Sequence, residues 1–240
     1  MLPALRHRIF NRGANFPRLG AVTTAPNQAV VIQEWNATAP TTINWGDGST
    51  TVVPANTGTT ISHTYAAAGT YTILLGVSPL AVTRMDFRHV ALRIYSVWLK
   101  VCVNTTYFRC SDAPQGVINS ADMAAWRPTY WYCYSLPAGM LPLTVAAADF
   151  SAWTTTTNLS IQGNSLTQAQ VDAVLQGLYA SFATRTVANG TINVAGNNAA
   201  PSGTYQAHCP PVAGKEWAYE LTHDSCNVNP TKKWLTVTTN

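Results

Sequence analysis

The chain has 240 residues, 47% of them hydrophobic and 10% aromatic, which excludes a disordered polymer and leaves room for a sizeable core. Charged residues make up 10%, against roughly 25% in an average soluble domain. Thr, Asn, Ser, Gln and Ala must therefore cover the surface, as suits a β-rich extracellular or virion protein, or a subunit that hides surface in an assembly. The net charge of +4 falls short of the broad Lys/Arg face of a nucleic-acid binder, and no run approaches the ~18–20 apolar residues of a membrane span.

That small positive charge is uneven. Arg6, His7, Arg8, Arg12 and Arg18 all precede the first acidic residue, Glu34. Residues 1–20, with Gly13, Pro17 and Gly20, read as an irregular basic arm. It is either a solvated tail or a segment that docks on a partner subunit, and in the second case Arg6, Arg8, Arg12 and Arg18 are the contact residues. Met1-Leu2-Pro3-Ala4-Leu5-Arg6-His7 lacks the apolar stretch of a secretory signal.

Residues 21–80 carry short β-type runs at 29–32, 42–45, 51–53, 59–61 and 71–75, punctuated by Pro54, Gly58, Gly69 and Pro79. Their centre is Asn44-Trp45-Gly46-Asp47-Gly48-Ser49-Thr50, where Asp-Gly supplies the residues a tight hairpin demands. Ile61-Ser62-His63-Thr64-Tyr65 and Gly69-Thr70-Tyr71 follow. Trp45 and Tyr65 are expected in the core, His63 in a structural hydrogen bond and Asp47 in the turn. In this order and spacing the pattern resembles the PKD domain, an immunoglobulin-like β-sandwich. The resemblance covers residues 20–80 and implies a spacer or binding platform without a catalytic centre.

From Leu80 the pattern changes. Leu92–Tyr95 and Trp98–Val103 are strand-like, and Ser120–Trp126 reads as a short helix opened by a serine cap. Aromatics then crowd at Trp126, Tyr130, Trp131, Tyr132 and Tyr134, too densely for one strand to bury them all on a single face. Strand alternation sets Tyr130, Tyr132 and Tyr134 on one side and Trp131 and Cys133 on the other. Either both sides pack into a core, or Tyr130, Trp131, Tyr132 and Tyr134 include outward residues that serve a protein interface or a sugar-stacking platform.

A further strand is expected at Leu141–Val145. Leu159-x-Ile161-x-x-Asn164-x-Leu166 then sets a strand before an asparagine, and Thr167 with Gln170 opens an amphipathic helix whose apolar face is Val171, Val174, Leu175 and Leu178. Gly190–Pro201 repeats the strand-then-asparagine layout, and Lys232–Thr239 reads as a terminal strand. This segment resembles the degenerate leucine-rich-like C-terminal parts of tailed-phage structural proteins and some bacterial surface proteins. The resemblance implies an asparagine that hydrogen-bonds the backbone at each turn. It also implies earlier, poorly conforming repeats in 85–150, since one repeat cannot bury its own apolar face.

Candidate chemistry is thin. His223-Asp224-Ser225-Cys226 holds nucleophile-site residues, but triads assemble from distant segments, so a polar loop is expected. Asp86 and His89 have no third partner. Glu216 and Glu220 read as a solvated helix face, or else as a carboxylate pair for a metal or a glycoside. Of the five cysteines, Cys209 and Cys226 are either bridged or, like the rest, free and buried. No catalytic, cofactor or metal residues are expected. The sequence thus predicts a mainly β protein with some α: a basic arm at 1–20, an immunoglobulin-like (PKD-like) sandwich at 21–80 and a leucine-rich-repeat-like α/β domain at 81–240. The expected function is non-enzymatic. It is that of a head or tail decoration protein of a tailed bacteriophage, a homo-oligomer or multi-copy component held by capsid or tail subunits, with no nucleic acid or membrane. The alternative is a carbohydrate-binding or host-surface adhesion module, extracellular or on the cell surface.

Overall fold

The computed structural model describes residues 16–111, 115–136 and 145–240. In chain order the first elements are β1 (Arg18–Thr23), β2 (Gln28–Ala37), β3 (Thr41–Asn44), β4 (Thr50–Val53), β5 (Thr59–Tyr65), β6 (Gly69–Gly76) and β7 (Val82–Asp86). Then come β8 (Leu92–Tyr95), α1 (Ser96–Leu99), β9 (Tyr107–Arg109), β10 (Gln115–Val117), β11 (Tyr130–Tyr132) and α2 (Ala147–Phe150). The last are β12 (Asn158–Ser160), α3 (Gln168–Phe182), β13 (Thr191–Asn193), α4 (Gly214–His223) and β14 (Thr236–Thr238). The protein is mainly β, with two mixed sheets. A six-stranded sheet runs β10-β8-β1-β6-β3-β4 and an eight-stranded one runs β14-β13-β12-β11-β9-β7-β2-β5. Their buried side chains form one continuous cluster.

The Gly46-Asp47-Gly48 stretch is the β3–β4 turn, pairing Asn44 with Thr50. Gly46 sits at φ +85°, and a Cβ there would meet the Thr72 carbonyl oxygen at 2.6 Å, so both the turn and its packing require glycine. Trp45 and Tyr65 are wholly buried, as their pattern predicts. The Tyr65 hydroxyl donates to the Trp45 carbonyl at 2.8 Å, and His63 stacks on the Trp45 ring at 4.7 Å.

β7 joins two kinds of sheet. It pairs antiparallel with β2 on one side and parallel with β9 on the other. Beyond it β9, β11, β12, β13 and β14 are all parallel neighbours. Trp35, Met85, Phe108, Trp131, Leu159, Ile192 and Val237 line up across the strands as one row. All of these except the marginal Val237 are buried. Strand pairings therefore cross residue 80, with β7 on β2 and β8 on β1.

Parallel neighbours need crossover connections, and α3 supplies a large one, packed against α2 and α4. Its start is the expected capping box: Gln170 Oε1 accepts from the Thr167 N–H at 2.9 Å. Val171, Val174, Leu175 and Leu178 are fully buried. At the turns after β12 and β13, the buried Asn164 and Asn198 donate to backbone carbonyls, Asn164 to Ile161 and Cys133 and Asn198 to Val194 and Ile161.

Several expectations are corrected. Arg18, Leu19 and Gly20 belong to β1 and not to an irregular arm: Arg18 pairs with Leu74, and Gly20 lies where a Cβ would approach the Arg93 side chain to 2.9 Å. Arg6, Arg8 and Arg12 lie outside the described residues. Trp98–Val103 is no strand. Ser96, Leu99, Cys102 and Thr105 are the buried positions, a three-residue period that builds α1 and a turn closed by the Cys102 N–H on the Leu99 carbonyl. The Ser120 helix is a single 3₁₀ turn, Ser120–Met123, capped by Asn119, whose side chain accepts from the Ala121 N–H at 3.0 Å. Ser120 is buried and donates to Asp149. Of the expected Leu141–Val145 strand, residues 141–144 lie outside the described residues.

Candidate functional site

In each three-residue parallel strand the middle residue points into the core, so its neighbours must point to the opposite, open face. Register builds two rows there. One runs Arg84, Tyr107, Tyr130, Asn158, Thr191, Thr236, and the other runs Asp86, Arg109, Tyr132, Ser160, Asn193, Thr238. Tyr134, just past β11, continues the second row's aromatic side. A depression of about 290 Å³ is lined by Tyr107, Arg109, Tyr130, Tyr132 and Tyr134. Ring centroids lie 5.9 Å apart for Tyr107 and Tyr130, 6.3 Å for Tyr130 and Tyr132, and 6.5 Å for Tyr132 and Tyr134. These tilted and edge-on contacts make a continuous aromatic floor.

Three arginines stand on this floor. The Arg84 guanidinium lies 4.3 Å from the Tyr107 ring centroid and forms a bidentate pair with Glu34, its second contact 3.2 Å long. Arg88 donates through Nε to both carboxylate oxygens of Asp86 at 2.7 and 3.0 Å. These hydrogen bonds push both guanidinium groups further toward the charged state. Arg109 differs. Its Nε donates to Ser111 Oγ at 3.1 Å and its Nη2 to the Tyr134 hydroxyl, and among the described residues it has no carboxylate partner. Partial burial, with the neighbouring phenols, raises the Tyr132 hydroxyl, which stays neutral at physiological pH.

Tyr130, Tyr132 and Tyr134 thus share the open face, and Tyr130 is 37% exposed. Trp131 does not join them. It is wholly buried in the core row, edge-on to Trp153 at 5.2 Å and to Phe150 at 6.3 Å. Its place as a partner-contact candidate is corrected by the same alternation that turns its neighbours outward. Arg18 is exposed at the far sheet, where Phe16, Trp98 and Lys100 lie beside it. Sequence reasoning missed Tyr107 and Arg109. The signal was present: Tyr107-Phe108-Arg109-Cys110 and Tyr130-Trp131-Tyr132-Cys133 share an aromatic-aromatic-x-Cys pattern.

The other candidate clusters are bound into the scaffold. Glu216 and Glu220, expected on a solvated helix face, are buried. Glu216 accepts from the Val212 N–H at 2.8 Å, from His208 Nδ1 at 2.8 Å and from Gln206 at 3.2 Å. The Val212 amide, then His208, hold its carboxyl down at about 2. Glu220 accepts from the Cys226 N–H at 3.0 Å and from the Ser225 hydroxyl. Each carboxylate anchors one side of a loop pair that the Cys209–Cys226 disulfide ties across a Cα–Cα distance of 5.4 Å. The sulfurs lie near Glu220, but they are bonded to each other and offer no thiolate to a metal.

The His223–Cys226 run is equally committed. His223 stacks on Tyr219 at 4.0 Å, and Asp224 accepts from the Val228 and Asn229 N–H groups at 2.7 and 3.0 Å. Asp86 goes to Arg88 and leaves His89, whose Nδ1 accepts from the Ala91 N–H at 3.3 Å. Partial burial pushes Asp47 up, but the Ser49 hydroxyl and amide together with His63, 2.7 Å away, outweigh it and leave the carboxyl at about 2. Cys102, Cys110 and Cys133 are free and buried, with the last two sulfurs 2.8 Å apart.

No protein-family model, curated protein or solved structure matches this chain.

Proposed function

We propose that this chain is a non-enzymatic structural and recognition protein of a tailed-phage particle, a multi-copy head or tail decoration protein held by capsid or tail subunits. The observation that carries the recognition role is the open tyrosine–arginine face of the parallel strands, an aromatic surface of the composition that interfaces favour. The carboxylates with which an enzyme would act are occupied by backbone N–H groups in loops, which supports a non-enzymatic role. Residues 21–80 are read as a PKD-like, immunoglobulin-like sandwich, supported by the Trp45–Asp47–His63–Tyr65 corner. The parallel segment is read as leucine-rich-repeat-like, supported by Asn164 and Asn198 at successive turns. The phage assignment rests on that pairing of resemblances and on the charge-poor surface.

A second reading, a glycan-binding adhesion module, is favoured by the exposed Tyr130 ring among hydroxyl and amide side chains. Immunogold labelling and density-gradient sedimentation of native protein from producing cultures test the first reading. Label and protein should travel with assembled particles. Protein found only in soluble form or on cell surfaces rejects the particle assignment.

A further inference from the structure

We infer that the ligand of the open face is an acidic saccharide, with Arg109 as its anchoring cation and the tyrosine rings as its stacking floor. The inference rests on the recognition role proposed above and names its substrate class. Charge comes first. Glu34 and Asp86 neutralise Arg84 and Arg88, so the face keeps one uncompensated cation among the described residues, Arg109. Ser111 and Tyr134 fix the orientation of that guanidinium through Nε and Nη2. Nη1 is left without a protein partner among the described residues, beside the depression that Arg109 lines. A guanidinium held by neutral groups at the edge of a hollow matches a ligand carboxylate or sulfate, because its N–H fork can pair two oxygens of either anion and it is always charged.

The rest of the face selects the ligand's body. Beyond the tyrosines the rows carry Asn158, Thr191, Ser160 and Asn193, and no aliphatic side chain stands in either row. Tyrosine and arginine also serve protein interfaces, but those pack around a buried apolar core, and beyond the tyrosines these rows hold none. A sugar instead lays its C–H face on an aromatic ring and pairs its hydroxyls with amides and hydroxyls. The face sets rings at Arg109 and, further along the sheet, a polar strip in which Thr191 donates to Asn158 and Asn193 to Gln162, while Ser160 is buried. The remaining donor and acceptor positions of the exposed groups meet the sugar. The site is therefore one cation with an adjoining stacking platform, a fit for one acidic sugar unit followed by neutral ones.

Isothermal titration of the full chain with sialyllactose and a hyaluronan tetrasaccharide, against lactose and chitotetraose, tests this. Sulfated lactose forms a further arm that separates carboxylate from sulfate recognition. The acidic ligands should bind at least tenfold more tightly than their neutral counterparts, and the advantage should shrink as salt rises. Arg109→Gln should abolish that advantage and Arg109→Lys keep part of it. Tyr130→Ser should weaken acidic and neutral ligands alike, with unchanged thermal unfolding. Equal affinity for acidic and neutral sugars, or an acid preference that survives Arg109→Gln, overturns the inference. No saccharide binding by protein that still sediments with particles overturns it and leaves the particle reading standing. Acid-selective binding by protein that never accompanies particles does the reverse.

Discussion

The two ends of the eight-stranded sheet are held together by different means. At the antiparallel end the polar contacts bridge to the other sheet: His63 and Tyr65 of β5 meet Trp45 and Asp47 of the β3–β4 hairpin in one corner. At the parallel end they reach from one turn of the chain to the next. Asn164 bonds the Cys133 carbonyl and the Leu136 N–H of the preceding turn, and Asn198 bonds Ile161 and Leu166 in the same way. Arg185, buried and without a carboxylate partner among the described residues, donates to the carbonyls of Thr156, Val187 and Asn189 and lies 3.5 Å from the Trp234 ring centroid. Burial lowers it to about 10, so it remains charged at neutral pH. The difference follows from connectivity. A hairpin brings its own backbone partners together, whereas parallel strands end in long crossovers whose backbone groups must find side chains.

The sharpest way to break this comparison is Asn164→Ala. It strips the Asn164 partner from the buried Cys133 carbonyl and the Leu136 N–H, at about 1–3 kcal/mol each, so about 4 kcal/mol in all, while the Ile161 carbonyl keeps Asn198. Hydrogen exchange should show protection lost in β11–β13 and kept in β1–β6; equal loss at both ends would mean that they unfold as one unit. Replacing Cys209 and Cys226 with serine opens a loop of sequence separation 17 and should cost about 3 kcal/mol by denaturant titration. At the antiparallel end Tyr65→Phe leaves the buried Trp45 carbonyl unpaired, a loss of about 1.5 kcal/mol read by the same titration.

The smallest effect is in the acid limb, where both ends contribute. Glu216 and Asp47 have folded values depressed to about 2 from 4.5 and 3.8. Each therefore contributes stability that is full above its ordinary value and is lost as pH falls toward 2. Glu216→Gln should flatten the pH dependence reported by α4, and Asp47→Asn that reported by the Trp45 fluorescence. If either substitution leaves its limb unchanged, that carboxylate is not the group being titrated.

Legibility in the sequence followed the same division. Gly46-Asp47-Gly48, Trp45, Tyr65 and the Thr167–Gln170 capping box act within a few residues of themselves or through burial, and a local pattern announces them. The outward side of Tyr130, Tyr132 and Tyr134 was readable from alternation, and the same rule, applied to its odd member, turns Trp131 inward. The parallel row was not readable as a period. Its steps from 85 to 108 and from 108 to 131 are equal, but those from 131 to 159, 159 to 192 and 192 to 237 lengthen, as α2, α3 and α4 enter successive crossovers. Glu216 and Glu220 misled because an i, i+4 pair on a helix looks solvated until the loops that fold over it are known. Arg109 gives no sequence sign of being the uncompensated cation, since Glu34 reaches Arg84 only through strand pairing and Asp86, the register partner of Arg109, bonds Arg88 instead.

β7 has a mechanical consequence. Antiparallel on one edge and parallel on the other, it leaves no linker between the two ends of the sheet. A pull applied to the tyrosine face would load the hydrogen bonds between β7 and its neighbours together, and not a single flexible tether. The molecule transmits strain as a strut does, so whatever grips one end feels the direction in which the other is tugged.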